Sequence, residues 1–164
     1  MGSVSCSWFK LNGGLMTNIV NGSSNTSLLA TLTSAATNVT GDGTVYTLVW
    51  NNVVYGSGYN TSTGVFTCPV AGDYLFTPVV QISNLTASFT FCTATLVATG
   101  GSFQTCEFRI GNYRNPSNST TLTPCVVPVR MAVNDTAQWN ILISGSTKTL
   151  SFDTLSTLSI VRLP

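Results

Sequence analysis

The sequence predicts an all-β sandwich of two packed sheets, and three observations predict it. Apolar residues recur at every second position in many short runs. Turn-forming clusters separate those runs at regular intervals. The polar share consists largely of 26 Thr, 19 Ser and 14 Asn, so strand and turn formers dominate, and runs rich in Ala, Glu, Lys and Leu that would build long helices are missing.

Taken in order, residues 1–26 read as a polar arm and residues 27–164 as one β domain. The arm is rich in Gly, Asn and Ser, yet it carries Trp8, Phe9, Leu11, Leu15, Met16 and Ile19. From Ser27 the strand signals begin. Tyr46, Leu48 and Trp50 alternate with Val45, Thr47 and Val49. Tyr74, Phe76, Val80 and Ile82 share one parity, and Trp139, Ile141 and Ile143 another. The turn clusters are Thr40-Gly41-Asp42-Gly43, Gly56-Ser57-Gly58, Gly100-Gly101, Asn115-Pro116-Ser117-Asn118, Asn134-Asp135 and Ser144-Gly145-Ser146. Many short strands so spaced make a sandwich or jelly roll. Pro78 sits inside a good strand pattern and removes a ladder donor, which implies a bulge or an unpaired position there.

Length, charge and cysteine content bound the function. A chain of 164 residues suits one domain with a real core. Only 7% of residues are charged, against roughly 25% in an average soluble domain. Six scattered Lys and Arg form no basic stripe, so nucleic-acid binding is not expected. No segment reaches the ~18 consecutive apolar residues of a membrane span, so no membrane insertion is expected. The N-terminus lacks the basic start and apolar stretch of a secretion leader. Five cysteines with no C-x-x-C pair argue against a zinc site and a fully paired disulfide framework. Cys68, Cys92, Cys106 and Cys125 lie in apolar or strand-like stretches and read as buried free thiols. Cys92 and Cys106 flank the turn at Thr99-Gly100-Gly101, and a one-residue register choice decides whether they share a face.

The stretch from Trp50 to Phe76 narrows the fold. It holds Asn51-Asn52, Tyr55, Tyr59-Asn60, Thr63-Gly64-Val65-Phe66-Thr67-Cys68-Pro69 and Gly72-Asp73-Tyr74-Leu75-Phe76. This resembles the signature of C1q globular heads: an Asn, a Tyr-Asn pair, then T-G-x-F-T-x-P-x-x-G-x-Y-x-F. Gly64 and Gly72 are expected in turns that want positive φ. Pro69 ends a strand, and Phe66, Tyr74 and Phe76 point between the sheets. Further on, Met131-Ala132-Val133-Asn134-Asp135 resembles the family's turn before its penultimate strand. The last strand, Thr157 to Leu163, stands where the family usually has Phe-Ser-Gly-Phe, and the Phe and Gly are missing. The resemblance covers residues 27–164 and implies a jelly roll of the C1q/tumour necrosis factor (TNF) type, with about ten strands, that forms a compact homotrimer.

Catalysis is not expected. Without histidine the chain lacks the commonest general base and most zinc sites. Asp42, Asp73, Asp135 and Asp153 fall at turns or strand ends, where Asp usually bonds its own backbone. Glu107 and Arg109 share a parity on one strand and read as a solvated pair. No acidic cluster suggests calcium, and no cofactor is expected. Sequons at Asn21, Asn25, Asn38, Asn60, Asn84, Asn118 and Asn134 matter only on a eukaryotic secretory route.

Two functions are carried forward. The first is a virion structural protein: a trimeric capsid decoration (cement) protein or fibre knob whose partner is a capsid or other virion protein. On this reading the arm attaches the trimer to its support, unless Trp8 and Phe9 fold back onto the trimer's own base. The second is a secreted recognition module for a receptor or glycan, with Tyr113 and Arg114 as a surface contact.

Overall fold

The computed structural model describes residues 27–108 and 119–164. It is a two-sheet jelly roll, with no helix among the described residues. The eight-stranded sheet holds β1 (Ser27–Thr31), β2 (Ala36–Thr40), β4 (Asn52–Tyr55), β6 (Gly72–Ser83), β9 (Ser119–Leu122), β10 (Val127–Met131), β12 (Leu150–Phe152) and β13 (Thr157–Arg162). The five-stranded sheet holds β3 (Val45–Thr47), β5 (Val65–Thr67), β7 (Phe91–Ala98), β8 (Gly101–Phe108) and β11 (Thr136–Ser144). Thirteen segments exceed the ten strands expected because three strands are interrupted. β12 and β13 both pair with the same side of β6, β1 and β2 run beside them, and β9 and β10 share the other side of β6. Each of these three pairs is one broken strand, and counting them so restores ten.

Alternation decides which face each strand buries. Along β6, Tyr74, Phe76, Pro78, Val80 and Ile82 turn inward, and Trp139, Ile141 and Ile143 of β11 face them from the other sheet. Leu158 and Ile160 of β13 are buried and supply the inward side chains of the last strand. Pro78 causes no bulge: β6 and β13 stay in register past it. On the other side β9 ends opposite Val80 and β10 begins opposite Phe76. Thr77 to Val79 therefore have no ladder partner on that side, and the missing proline N–H costs the sheet nothing.

The alternation read through Tyr46, Leu48 and Trp50 does not make one continuous strand. β3 ends at Thr47; the Leu48 N–H still donates to the Trp139 carbonyl at 2.8 Å, and the Trp50 N–H then donates to the phenol oxygen of Tyr59 at 3.0 Å instead of to a neighbouring strand. Asn51 then ties this crossing to the loop after β1. Its Oδ1 accepts from the Thr33 N–H at 2.8 Å, and its Nδ2 donates to Ser34 Oγ at 3.1 Å.

Candidate functional site

The Tyr59 to Phe76 stretch builds structure. Asn60 Oδ1 accepts the backbone N–H of Ser62 at 2.9 Å, and the Gly64 N–H donates to the Asn60 carbonyl at 2.9 Å. Gly64 has φ +75°, and a Cβ there would lie 2.5 Å from the Leu48 carbonyl oxygen. Phe66, Tyr74 and Phe76 are buried, with ring centroids 5.5 Å (Phe66–Tyr74) and 5.8 Å (Phe66–Phe76) apart. The Tyr74 hydroxyl donates to the Val70 carbonyl at 2.6 Å just past Pro69, which lies two residues beyond the end of β5. Gly72 departs from expectation. It opens β6 and is not among the residues with positive φ. Its lack of a side chain serves a close approach instead: a Cβ would sit 2.5 Å from Arg162 Nε. The Arg162 guanidinium crosses this spot and donates to the Ala71 carbonyl at 3.2 and 2.9 Å.

The acidic groups are engaged locally. Asp42 accepts from the Thr44 N–H at 3.0 Å, and that hydrogen bond holds its carboxyl below the usual range. Asp135 accepts from the Ala132 N–H at 2.7 Å, and Asp153 from Ser83 Oγ at 3.1 Å. Asp73 meets Arg130 at 3.7 Å across an exposed edge. These two and Arg162 line an open groove of about 470 Å³, with both guanidiniums already turned to protein acceptors. Among the described residues no three His, Cys, Asp or Glu side chains are grouped to hold a metal ion.

Both outward faces of the sandwich mix apolar and hydroxyl side chains, with Val45, Leu142 and Val97 beside Thr93 and Thr95 on the five-stranded sheet. On the five-stranded sheet, Asn140 Oδ1 accepts from Thr47 Oγ1 at 2.9 Å and from Gln138 Nε2 at 3.2 Å, making a polar network. On the eight-stranded sheet the register sets out three rows. Ser27, Val161, Leu75 and Pro128 form one, with Leu29, Ser159 and Thr77 in the second and Thr31, Thr157 and Val79 in the third. These rows carry no charge; Asp73 and Arg130 stand at one end. Leu29, Leu75 and Val79 are half-buried within a single chain. Further along β6 the Gln81 carboxamide oxygen is buried without a hydrogen-bond partner among the described residues.

Several sequence-predicted positions lie outside the described residues: Trp8, Phe9, Leu11, Leu15, Met16, Ile19, Tyr113, Arg114, the Arg109 of the expected pair, and the sequons at Asn21, Asn25 and Asn118. Glu107 accepts a hydrogen bond from Gln104 Nε2. Asn38, Asn60, Asn84 and Asn134 are all exposed, Asn38 in the middle of β2 with positive φ and the other three in turns or loops. The cysteines need a correction. Cys68 and Cys92 are buried, but Cys106 is half-buried and Cys125 exposed. Cys125 falls in the break between β9 and β10, where Pro124 takes the buried position and Cys125 beside it is exposed.

No family model matches the sequence, and no curated protein matches it. Solved structures do match in fold. The globular domain of zebrafish complement 1qA superposes with a TM-score of 0.55 at 11% identity, covering 85% of this chain and 98% of that one. Murine APRIL at pH 8.5 gives a TM-score of 0.51 at 14% identity, over 85% of this chain and 99% of APRIL. At pH 5.0 it gives 0.52 at 13% identity. The class is therefore that of a C1q/TNF-like jelly roll. At such identities the likeness is one of fold.

Proposed function

We propose that this chain is a non-enzymatic structural module that works as a homotrimer on a viral or phage particle, as a capsid decoration protein or a fibre knob. The outward face of the eight-stranded sheet carries this reading. Its three rows mix apolar side chains with hydroxyls and carry no charge, in keeping with the depletion of charged residues at interface cores. A stable homomeric contact often buries more than ~2,000 Å², and a face of several strands offers that area. A chain with only 7% charged residues suits a protein packed among neighbours rather than one kept apart by repulsion. In this reading the apolar side chains of residues 1–26 fasten the trimer to its support. Each large one gains about 1.5–3 kcal/mol on burial, and three arms act together.

A secreted recognition module for a receptor or glycan is the alternative, favoured by the likeness to the complement head, with Tyr113 and Arg114 as its contact. The deciding experiment is mass spectrometry of purified particles beside light scattering of the purified protein. A trimer that is stoichiometric in particles supports the virion role. A trimer found only in a secreted fraction supports the alternative. A stable monomer at micromolar concentration overturns both.

A further inference from the structure

At the seam between the two sheets Cys125 hydrogen-bonds to Thr105, the residue before Cys106. β8 is the edge strand of the five-stranded sheet, and it carries one extra residue there. Ala94 pairs with Cys106 and Thr95 with Gln104, so Thr105 has no partner of its own on β7. Such a bulge re-aims the backbone. The Thr105 hydroxyl turns inward and donates to the Ala94 carbonyl at 3.1 Å. Its carbonyl turns to the other sheet and accepts the backbone N–H of Cys125 at 3.3 Å. Cys125 lies in the 123–126 break between β9 and β10. One peptide plane and one hydrogen bond thus separate the Cα atoms of Cys106 and Cys125, about 5–7 Å, which overlaps the range a disulfide spans.

We propose that Cys106 and Cys125 are a redox modification site: a reversible intramolecular disulfide that clips the edge of one sheet to the edge of the other. It closes a ring around residues 107–124, which include Tyr113 and Arg114. The Cys106 thiol is pushed up first by burial and then by the neighbouring Cys125. Cys92 is in turn pushed up by burial and then by Cys106, so the thiol electrostatics register Cys106 against both neighbours and the backbone geometry decides between them. Cys92 is the less suitable partner. It faces Phe108, two residues along β7 from the Ala94–Cys106 pair. Such diagonal neighbours stand about 7–8 Å apart, beyond the reach of an unstrained disulfide.

The chemistry is thiol–disulfide exchange with a small disulfide of the oxidised-glutathione class. The exposed Cys125 loses its proton to water and attacks one sulfur of the small disulfide. The S–S bond breaks and one small thiolate leaves. Cys106, deprotonated in turn, attacks the Cys125 sulfur, forms the internal S–S bond and expels the second small thiolate. Two protein thiols are oxidised and one small disulfide is reduced to two thiols. Because burial holds Cys106 protonated, closure accelerates as pH rises.

The test uses the full chain, incubated with oxidised glutathione, alkylated under denaturing conditions and digested with trypsin. Cleavage after Arg109 and Arg114 separates Cys106 from Cys125 in sequence. A further cut after Phe103 by chymotrypsin isolates Cys106 from Cys92 and Cys68. The expected result is a 106–125 linked peptide that separates on reduction, with three of the five cysteines still alkylated. C106S is expected to stop at a glutathione mixed disulfide on Cys125, and C125S to form no internal link. A persistent mixed disulfide in the unmutated chain, a Cys92–Cys106 link, or a Cys125–Cys125 link between copies would each overturn the assignment. The map of the unmutated chain decides this even where a variant folds poorly.

Discussion

The Trp50 backbone N–H is donated to the phenol oxygen of Tyr59 at 3.0 Å, with the two rings 6.4 Å apart and tilted by 60°. This side-chain acceptor replaces a strand neighbour where the chain crosses from β3 to β4, so Tyr59 acts as part of the ladder. Tyr59→Phe keeps the ring and deletes the acceptor. The expected loss is about 1–3 kcal/mol, the cost of stranding a partly buried donor. Tyr55→Phe, at an exposed ring, should stay within about 0.5 kcal/mol. Urea unfolding of the two variants side by side checks the difference.

Two buried groups set an alkaline limit. Burial pushes the Tyr59 phenol up from 10.0 to about 12, and the Cys92 thiol from 9.0 to about 12. Both folded-state values are raised, so the unfolded chain gives up its protons first. The stabilisation is complete below about pH 9 and is lost as pH rises from there to about 12. Melting temperatures should be flat below that window and fall within it. Cys92→Ala should flatten the part of the slope between pH 9 and 10, whatever it does to stability at neutral pH. An unchanged slope in that variant would refute the role given to Cys92.

Gly64 and Gly100 separate a required glycine from a dispensable one. Gly64 has φ +75° and a Leu48 carbonyl 2.5 Å from any added Cβ, whereas Gly100 has open space around it. Gly64→Ala combines left-handed strain with a backbone clash and should cost about 2 kcal/mol or more. In melting temperature that is about 4–8 °C for a domain of this size. Gly100→Ala should move it by less than about 2 °C. Equal shifts would contradict the account.

The sequence resolved the inward face better than the outward one. Phe66, Tyr74, Phe76, Trp139 and Ile141 declare their side by period-2 alternation, and register makes each position unambiguous. Gly72 was misread because positive φ and close approach both select glycine, and only the folded chain shows Arg162 lying across it. The outward rows had a signal in Tyr74-Leu75-Phe76-Thr77-Pro78-Val79-Val80, where both parities are apolar. A strand apolar on both faces is covered on both. Cys106 and Cys125 could not be paired from sequence, since the Thr105–Cys125 hydrogen bond beside Cys106 depends on a bulge and on a strand break in different sheets.

The outward rows give the last prediction. Val79 and Thr95 both point away from the sandwich core, Val79 on the eight-stranded sheet and Thr95 on the five-stranded one. Neither fills the interior, so a lysine at either place should leave the fold intact, as far-UV circular dichroism and the melting curve would report. Their effects on assembly should differ. If copies meet through the apolar rows, Val79→Lys places three like charges in a dehydrated contact, each without a partner. Leaving a buried charge unpaired costs about 3–5 kcal/mol, enough to dissociate a trimer at micromolar concentration. Thr95→Lys puts its charge into water beside the Asn140 network and should remain trimeric. Light scattering of both variants over a range of concentrations separates the cases. Dissociation by Val79→Lys alone locates the contact on the eight-stranded sheet. Dissociation by Thr95→Lys alone would move it to the opposite face and leave the three rows without the role given to them.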